Sequence, residues 1–372
     1  MPLKTFLPLD PARPVRVALL GYGMASKVFH APLVAGVPGL ALVCVCSSRP
    51  DAVHQDWPNM RVVATPEQVW VDPDIDLVVI ATPNESHYPL ALAALQAGKH
   101  VLVDKPCTPT LAQAEHLLTV AAQQRRVMTV FQNRRFDVDF LALQSVVASG
   151  ALGRVVEVSS HFDRYRPMVP KRWREQNLPG SGLWFDLGAH LVDQALVLWG
   201  MPDAISLDLA CLRDGSGVDD WFHAVLRYDS AYQGLRVILH ASTLVADCGP
   251  RWAVHGTQGS YTQFDLDPQE DRLKAGERPH LNDMGDWGVD PRPGDLFHLQ
   301  TLPGVAAPVS VRRAVTHQPG NYLRLYANVR DHLLGKADLL VTPAHIRQVI
   351  KVLELGRRSA TGGYTHSLTE VP

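Results

Sequence analysis

The stretch VRVALLGYGMASKVFHAPL, Val15 to Leu33, decides the fold. Its first six residues are the kind of apolar run found in a strand covered on both faces, and Gly21 and Gly23 follow at once, before a segment with helical spacing. In a strand–turn–helix unit the first glycine permits the tight turn. The second lets a pyrophosphate approach the backbone at the positive end of the helix. Ser26 stands where a third glycine is usual and is small enough for close packing of helix on strand. A G-x-G says little by itself; here a strand precedes it, a helix follows, and further strands come after.

Working outward, apolar runs at 15–20, 40–46, 77–81, 100–103 and 127–131 alternate with helical patterns at Ala25 to Ala35, His87 to Ala97 and Leu111 to Arg125. Such alternation predicts a parallel, doubly wound sheet. After about Phe136 the texture changes. One helical stretch reaches Ser149, and then RVVEVSSHF, AISLDLACL, DWFHAVLRYD and LRVILHAS read as longer strands of a one-sided antiparallel sheet. Prolines and glycines between 266 and 310 suggest loops, and helical patterns at 321–334 and 343–358 close the chain. The expected fold class is α/β: a loose leader over 1–14, a Rossmann domain over 15–135, and a C-terminal α+β domain over 136–372 with a large, mostly antiparallel open sheet.

The bulk numbers set bounds. With 372 residues, 46% of them hydrophobic, the chain can build about two ordinary domains. Thirty-five basic and 37 acidic residues leave a formal net charge of -2, with no basic run, which argues against a nucleic-acid surface. The first residues lack the unbroken apolar stretch of a signal peptide, and no segment approaches the roughly 18 apolar residues of a membrane helix. Five cysteines, at 44, 46, 107, 211 and 248, show no zinc-like spacing and fit reduced thiols. The expectation is a cytoplasmic protein with no metal site.

The end of the second expected strand, ALVCVCSSRP, sits where an acidic residue would bind the ribose 2'-hydroxyl of NAD. Ser47, Ser48 and Arg49 are there instead, groups suited to a 2'-phosphate, so NADP is preferred over NAD, with nearby Asp51 as the counter-indication. Thr82, Pro83 and Asn84 end the fourth strand and line the crevice, with His87 just beyond. HVLVDKPCTPT, His100 to Thr110, ends its strand on Asp104 and Lys105, because Pro106 cannot continue a ladder. In open α/β sheets that is the ligand-binding edge. A second cluster lies in GSGLWFDLGAHLVDQAL, where Asp186, His190 and Asp193 share one helix face. A carboxylate beside an imidazole fixes its tautomer and suits it to shuttle protons. The other reading is a helix N-terminal Asp bonded to a core histidine.

Gly-Tyr-Gly-Met-Ala-Ser after strand one, Asp104-Lys105-Pro106 and the Asp186 to His190 helix together resemble the Gfo/Idh/MocA family of oxidoreductases, which usually has Glu-Lys-Pro at the second motif. FQNRRFDVDF, HFDRYRP and FDLGAHLVDQ look most like the branch of NADP-dependent scyllo-inositol 2-dehydrogenases. The resemblance implies a nicotinamide cofactor held by Gly21, Gly23, Met24, Ala25 and the strand ends, including Asp104, and a C-terminal sheet that mediates dimerisation. It places Lys105, Asp186 and His190 around the reacting carbon. The expected reaction passes a hydride between the nicotinamide and a secondary alcohol of a polyol, inositol or sugar, with His190 taking the hydroxyl proton. Asn133, Arg164, Tyr165, Arg172 and Trp173 are the candidate substrate contacts, in a pocket expected between the domains. The alternatives are a keto-sugar or aldose reductase of the same family, or a dinucleotide-binding regulator without catalysis.

Overall fold

The computed structural model describes residues 6–170, 173–300, 309–316 and 318–368. The early apolar runs form a parallel sheet of β1 (Val15–Leu20), β2 (Leu40–Cys46), β3 (Val62–Val63), β4 (Leu77–Ile80), β5 (His100–Val103) and β6 (Met128–Val130). Their order is β3-β2-β1-β4-β5-β6. All residues of β4, β5 and β6 are buried, as expected of strands covered on both faces. The direction of winding reverses between β1 and β4, the point where such sheets take their ligand. The sequence pattern missed β3, a two-residue strand too short to show a period.

The chain divides into two compact units. The first runs to Asn133 and takes back Gln269–Trp287 and Asn321–Ile350; the second comprises Arg134–Pro268, Gly288–Gly320 and the chain from Lys351. The expected assignment of everything from 136 onward to one domain therefore differs from the packing. The physical reason lies in the helix Leu323–Leu333, which buries Leu323, Leu325, Tyr326, Val329 and Leu333 within the first unit. There the Tyr326 hydroxyl lies 2.7 Å from His30 Nδ1, and Phe131 packs against the Tyr326 ring.

In the second unit nine strands make a mixed, mostly antiparallel sheet: β7 (Val155–His161), β8 (Ala204–Ala210), β9 (Trp221–Tyr228), β10 (Leu235–Ser242), β11 (Trp252–Gly256), β12 (Gly259–Gln263), β13 (Gly294–Gln300), β14 (Val309–Val315) and β15 (His366–Ser367). The order is β14-β13-β12-β11-β7-β10-β9-β8-β15, and β7 pairs with β10 in parallel. Along β9, buried Phe222, Ala224, Leu226 and Tyr228 alternate with half-exposed Trp221, His223, Val225 and Arg227. One face of the sheet is core and the other is open. The expected loop region 266–310 also holds the helix Gln269–Lys274 and strand β13, whose short polar sequences hide their period.

Two helices open irregularly. Ser26–His30 and Trp184–Gly188 are π-helical turns, each continuing into an α-helix. Single π turns inside helices recur at functional sites. Among the described residues no helix is long and apolar enough to cross a membrane.

Candidate functional site: a dinucleotide pocket and a polar pocket

In the first unit a pocket lies over the carboxyl ends of β1, β2 and β4, lined by Gly21, Tyr22, Cys46, Ser47, Ser48, Arg49 and Thr82 among others. Gly21 has φ +85°, and a Cβ there would stand 2.9 Å from the Ala81 carbonyl oxygen and 3.0 Å from Thr82 Cγ2. Only glycine lets the β1 turn pass so close to the end of β4. Gly23 is the opposite case: its Cβ would meet no protein atom within 4 Å. That open position at the start of the helix is a cradle of the sort a pyrophosphate fills.

Arg49 hangs over this pocket. Its Nη2 donates to the Tyr22 carbonyl at 2.9 Å, and its backbone N–H donates to Ser47 Oγ at 3.1 Å. Among the described residues it makes no ion pair, Asp51 included. A nearby carboxylate, Asp56, is committed elsewhere, to the Tyr22 hydroxyl at 2.9 Å and to Lys27 at 3.0 Å. Burial first, and then this bond to Asp56, push the Tyr22 hydroxyl above its ordinary pKa, so it stays a neutral donor. Met24 is exposed, and Ala25 half-buried, on the rim of the glycine turn.

At the end of β5, Asp104 is buried and its Oδ1 accepts the Lys105 backbone N–H at 2.8 Å. Oδ2 lies 3.8 Å from Nε2 of the fully buried His30. Burial alone would raise this carboxyl, but His30, Lys105 and His87 outweigh it and hold the pKa down to about 2. Asp104 is thus an anion that fixes the backbone from which Lys105, itself half-buried, projects. His87, a cofactor candidate that the sequence also places at the opening of a helix, lies in the first turn of the helix Asn84–Gln96 and is fully buried, with Nδ1 2.9 Å from the Pro106 carbonyl and Nε2 3.0 Å from the Thr82 carbonyl. It ties the ends of β4 and β5 together. Cys107 is inert, its thiol pushed up to about 12 by burial.

The second unit contains a polar pocket lined by Arg164, Arg166, Arg174, Glu175, Asp186, Arg213, Asp219 and Asp220, among others. Arg213 is held by Asp220 at 2.9 Å and Glu175 at 2.7 Å, and Arg174 lies 3.6 Å from Asp186. Asp219 accepts the Trp184 backbone N–H at 2.7 Å and so anchors the π turn that carries Asp186. Asp186 is half-buried within that turn, and His190 is buried one turn on. Asp193, on the same helix, holds Arg135 through two bonds of 2.8 and 2.7 Å. Of the expected substrate residues, Arg164 lines the pocket with its guanidinium over the Phe162 ring. Tyr165 is exposed and pairs by a backbone bridge with Leu244, and Trp173 stacks under Arg174. Asn133 is buried, the last residue of the first unit's opening segment and the first of the short helix Asn133–Phe136. Arg172 lies outside the described residues. Sequence reasoning missed Arg213, Asp219 and Asp220, which come from a loop with no periodic signal; the acidic pair in SGVDDW was its only mark.

A glycine turn at the switch point of a 3-2-1-4-5-6 sheet, joined in one chain to a unit built on a large mixed sheet with a polar pocket, defines a dinucleotide-binding oxidoreductase. Two family models match, the oxidoreductase family with NAD-binding Rossmann fold over residues 15–132 and the GFO/IDH/MocA C-terminal domain over 140–262. The chain belongs to the Gfo/Idh/MocA family. Among its relatives, the uncharacterized oxidoreductase YdgJ of Escherichia coli (strain K12) is 49% identical over 93% of this chain and 96% of its own. The scyllo-inositol 2-dehydrogenase (NADP(+)) IolW of Bacillus subtilis (strain 168) is 34% identical over 93% and 94%. The solved structure of YPO2259 from Yersinia pestis superposes with a TM-score of 0.89 at 48% identity, covering 97% of this chain and 99% of that one.

Proposed function

We propose that this oxidoreductase uses NADP to interconvert a secondary alcohol and a ketone on a cyclic polyol, an inositol in the first instance. The observation that carries the reading is the arrangement at the carboxyl edge of the first sheet. There the adjacent strands β1, β4 and β5 end on Gly21, Thr82 and Lys105, while Arg49 overhangs the same edge beyond β2 with no acid among the described residues to neutralise it. The relative named for NADP and scyllo-inositol supports both halves of the proposal. The arginine-rich pocket with its interleaved carboxylates offers donors and acceptors for several hydroxyls.

The bound nicotinamide supplies a hydride acceptor, and the protein must handle the proton and the charge. The Lys105 ammonium donates a hydrogen bond to the reacting oxygen and stabilises negative charge as it develops. The anionic Asp104 holds the Lys105 backbone amide and so fixes the base of that side chain. His190 takes the hydroxyl proton at an imidazole nitrogen, with Asp186 orienting the ring. Arg164 and Arg174 position the neighbouring hydroxyls. Replacing Lys105 or His190 by Ala is expected to lower kcat by about 100- to 10,000-fold while NADP binding persists. Turnover within a few-fold of the parent in steady-state assays of either variant would overturn the assignment.

A further inference from the structure

Across the open face of the second sheet runs a row of histidines that the proposed reaction does not use. His161 on β7 is the register partner of His240 on β10, and His240 that of His223 on β9. The far-apart sequence positions 161, 223 and 240 conceal this row, which is why spacing along the chain suggested no metal site. Two residues past His161, the chain turns Asp163 onto the same face. Its Oδ2 lies 3.2 Å from His161 Nδ1, and its Oδ1 lies 3.5 Å from His240 Nε2.

The three donors are close enough to share an ion: their ligand atoms lie within 4.8 Å of one another. An ion held tetrahedrally at about 2.0–2.1 Å from each ligand separates its ligand atoms by about 3.4 Å; the 3.2 and 3.5 Å spacings run to the two different oxygens of Asp163, so the carboxylate would turn to give the ion one of them. The carboxylate is under-served without a cation. Asp163 has a side-chain exposure of 6%, and its Oδ1 has no hydrogen-bond partner; neither has Nδ1 of His240. The guanidinium of Arg251, whose charge feels Asp163, is engaged with Ser160, Gln194 and Asp139.

We propose that His161, Asp163 and His240 bind a divalent transition-metal ion of the zinc class, with three protein ligands and one position left to water. Two imidazoles and a carboxylate suit such an ion better than magnesium or calcium, which prefer oxygen alone. The ion would clamp the exit of β7 onto β10. That exit continues through backbone bonds from Arg164 N–H to the Ser242 carbonyl and from Arg166 N–H to the Thr243 carbonyl, 2.9 and 2.7 Å. The two arginines on it line the polar pocket, so the ion would steady their backbone.

The test uses tag-free, full-length protein stripped with a chelator and titrated with Co2+, whose visible absorption reports coordination, followed by displacement with Zn2+ and metal counting after dialysis. The expected result is one equivalent of either ion per chain, a four-coordinate Co2+ spectrum and its loss on adding Zn2+. Asp163→Asn, nearly isosteric, and His161→Gln with His240→Gln are each expected to weaken binding at least tenfold, with circular dichroism and NADP binding checking the fold. Absence of a stoichiometric site, or one that survives both sets of substitutions, would overturn the proposal.

Discussion

Arg49 carries the cofactor preference on a single side chain. Its guanidinium bonds only the Tyr22 carbonyl and has no carboxylate partner among the described residues, so a 2'-phosphate over the pocket would be its counter-charge. A hydrogen bond to a charged group contributes about 1.5–3 kcal/mol, so Arg49→Ala should weaken NADP binding by about 10- to 100-fold and leave NAD within a few-fold. Fluorescence titration with both dinucleotides measures it; equal losses for the two would show that Arg49 reads no phosphate. Sequence reading reached Arg49 because a residue at the end of β2 is placed by strand geometry alone. It could not tell that Asp51 leaves Arg49 alone, or that His87 turns inward to two carbonyls, since those choices depend on side-chain packing across strands.

The two glycines of the first turn separate folding from binding at the scale of the strand–turn–helix element. Gly21→Ala meets a positive φ and a backbone oxygen at 2.9 Å, and should cost on the order of 1–3 kcal/mol of stability. Gly23→Ala meets nothing in the protein and should leave the melting temperature unchanged within about 1 °C while cutting dinucleotide affinity at least tenfold. Thermal unfolding with and without NADP distinguishes them; unchanged affinity in Gly23→Ala would mean that the pyrophosphate lies elsewhere. Elements with strong periods, such as β1, β9, β10 and the helix Leu111–Gln123, were legible in the sequence. The π turns were not, because one inserted residue barely alters an apolar pattern, and β3 and β13 were too short or too polar to register. Asp186 and His190 lie on the helix that opens with the π turn Trp184–Gly188, and Asp193 holds Arg135, a choice made by a residue from another helix.

The whole molecule should be less stable in acid for a definite reason. His100, on β5, is buried and accepts the Val127 backbone N–H through Nδ1, and burial, reinforced by Arg126, lowers its pKa from 6.5 to about 3. The unfolded chain takes up this proton before the folded one does, so stability complete above about pH 6.5 is lost progressively as pH falls toward 3. By pH 5 the loss amounts to about 2 kcal/mol, and His100→Gln should flatten that part of the curve in denaturant titrations. A parent and variant with the same pH slope would show that His100 is not responsible. At this scale the parallel sheet and the mostly antiparallel one both followed from the texture of the chain. The return of Gln269–Trp287 and Asn321–Ile350 to the first unit did not, because it depends on long-range burial such as that of Tyr326 beside His30. Catalysis by the whole molecule is read from the initial rate of nicotinamide reduction by the purified protein with NADP or NAD and a panel of inositols, aldoses and sugar acids. The expected result is turnover with an inositol, faster with NADP than with NAD and abolished in Lys105→Ala. Tight NADP binding with no reduction on any member of the panel would contradict it and favour a dinucleotide-binding regulator.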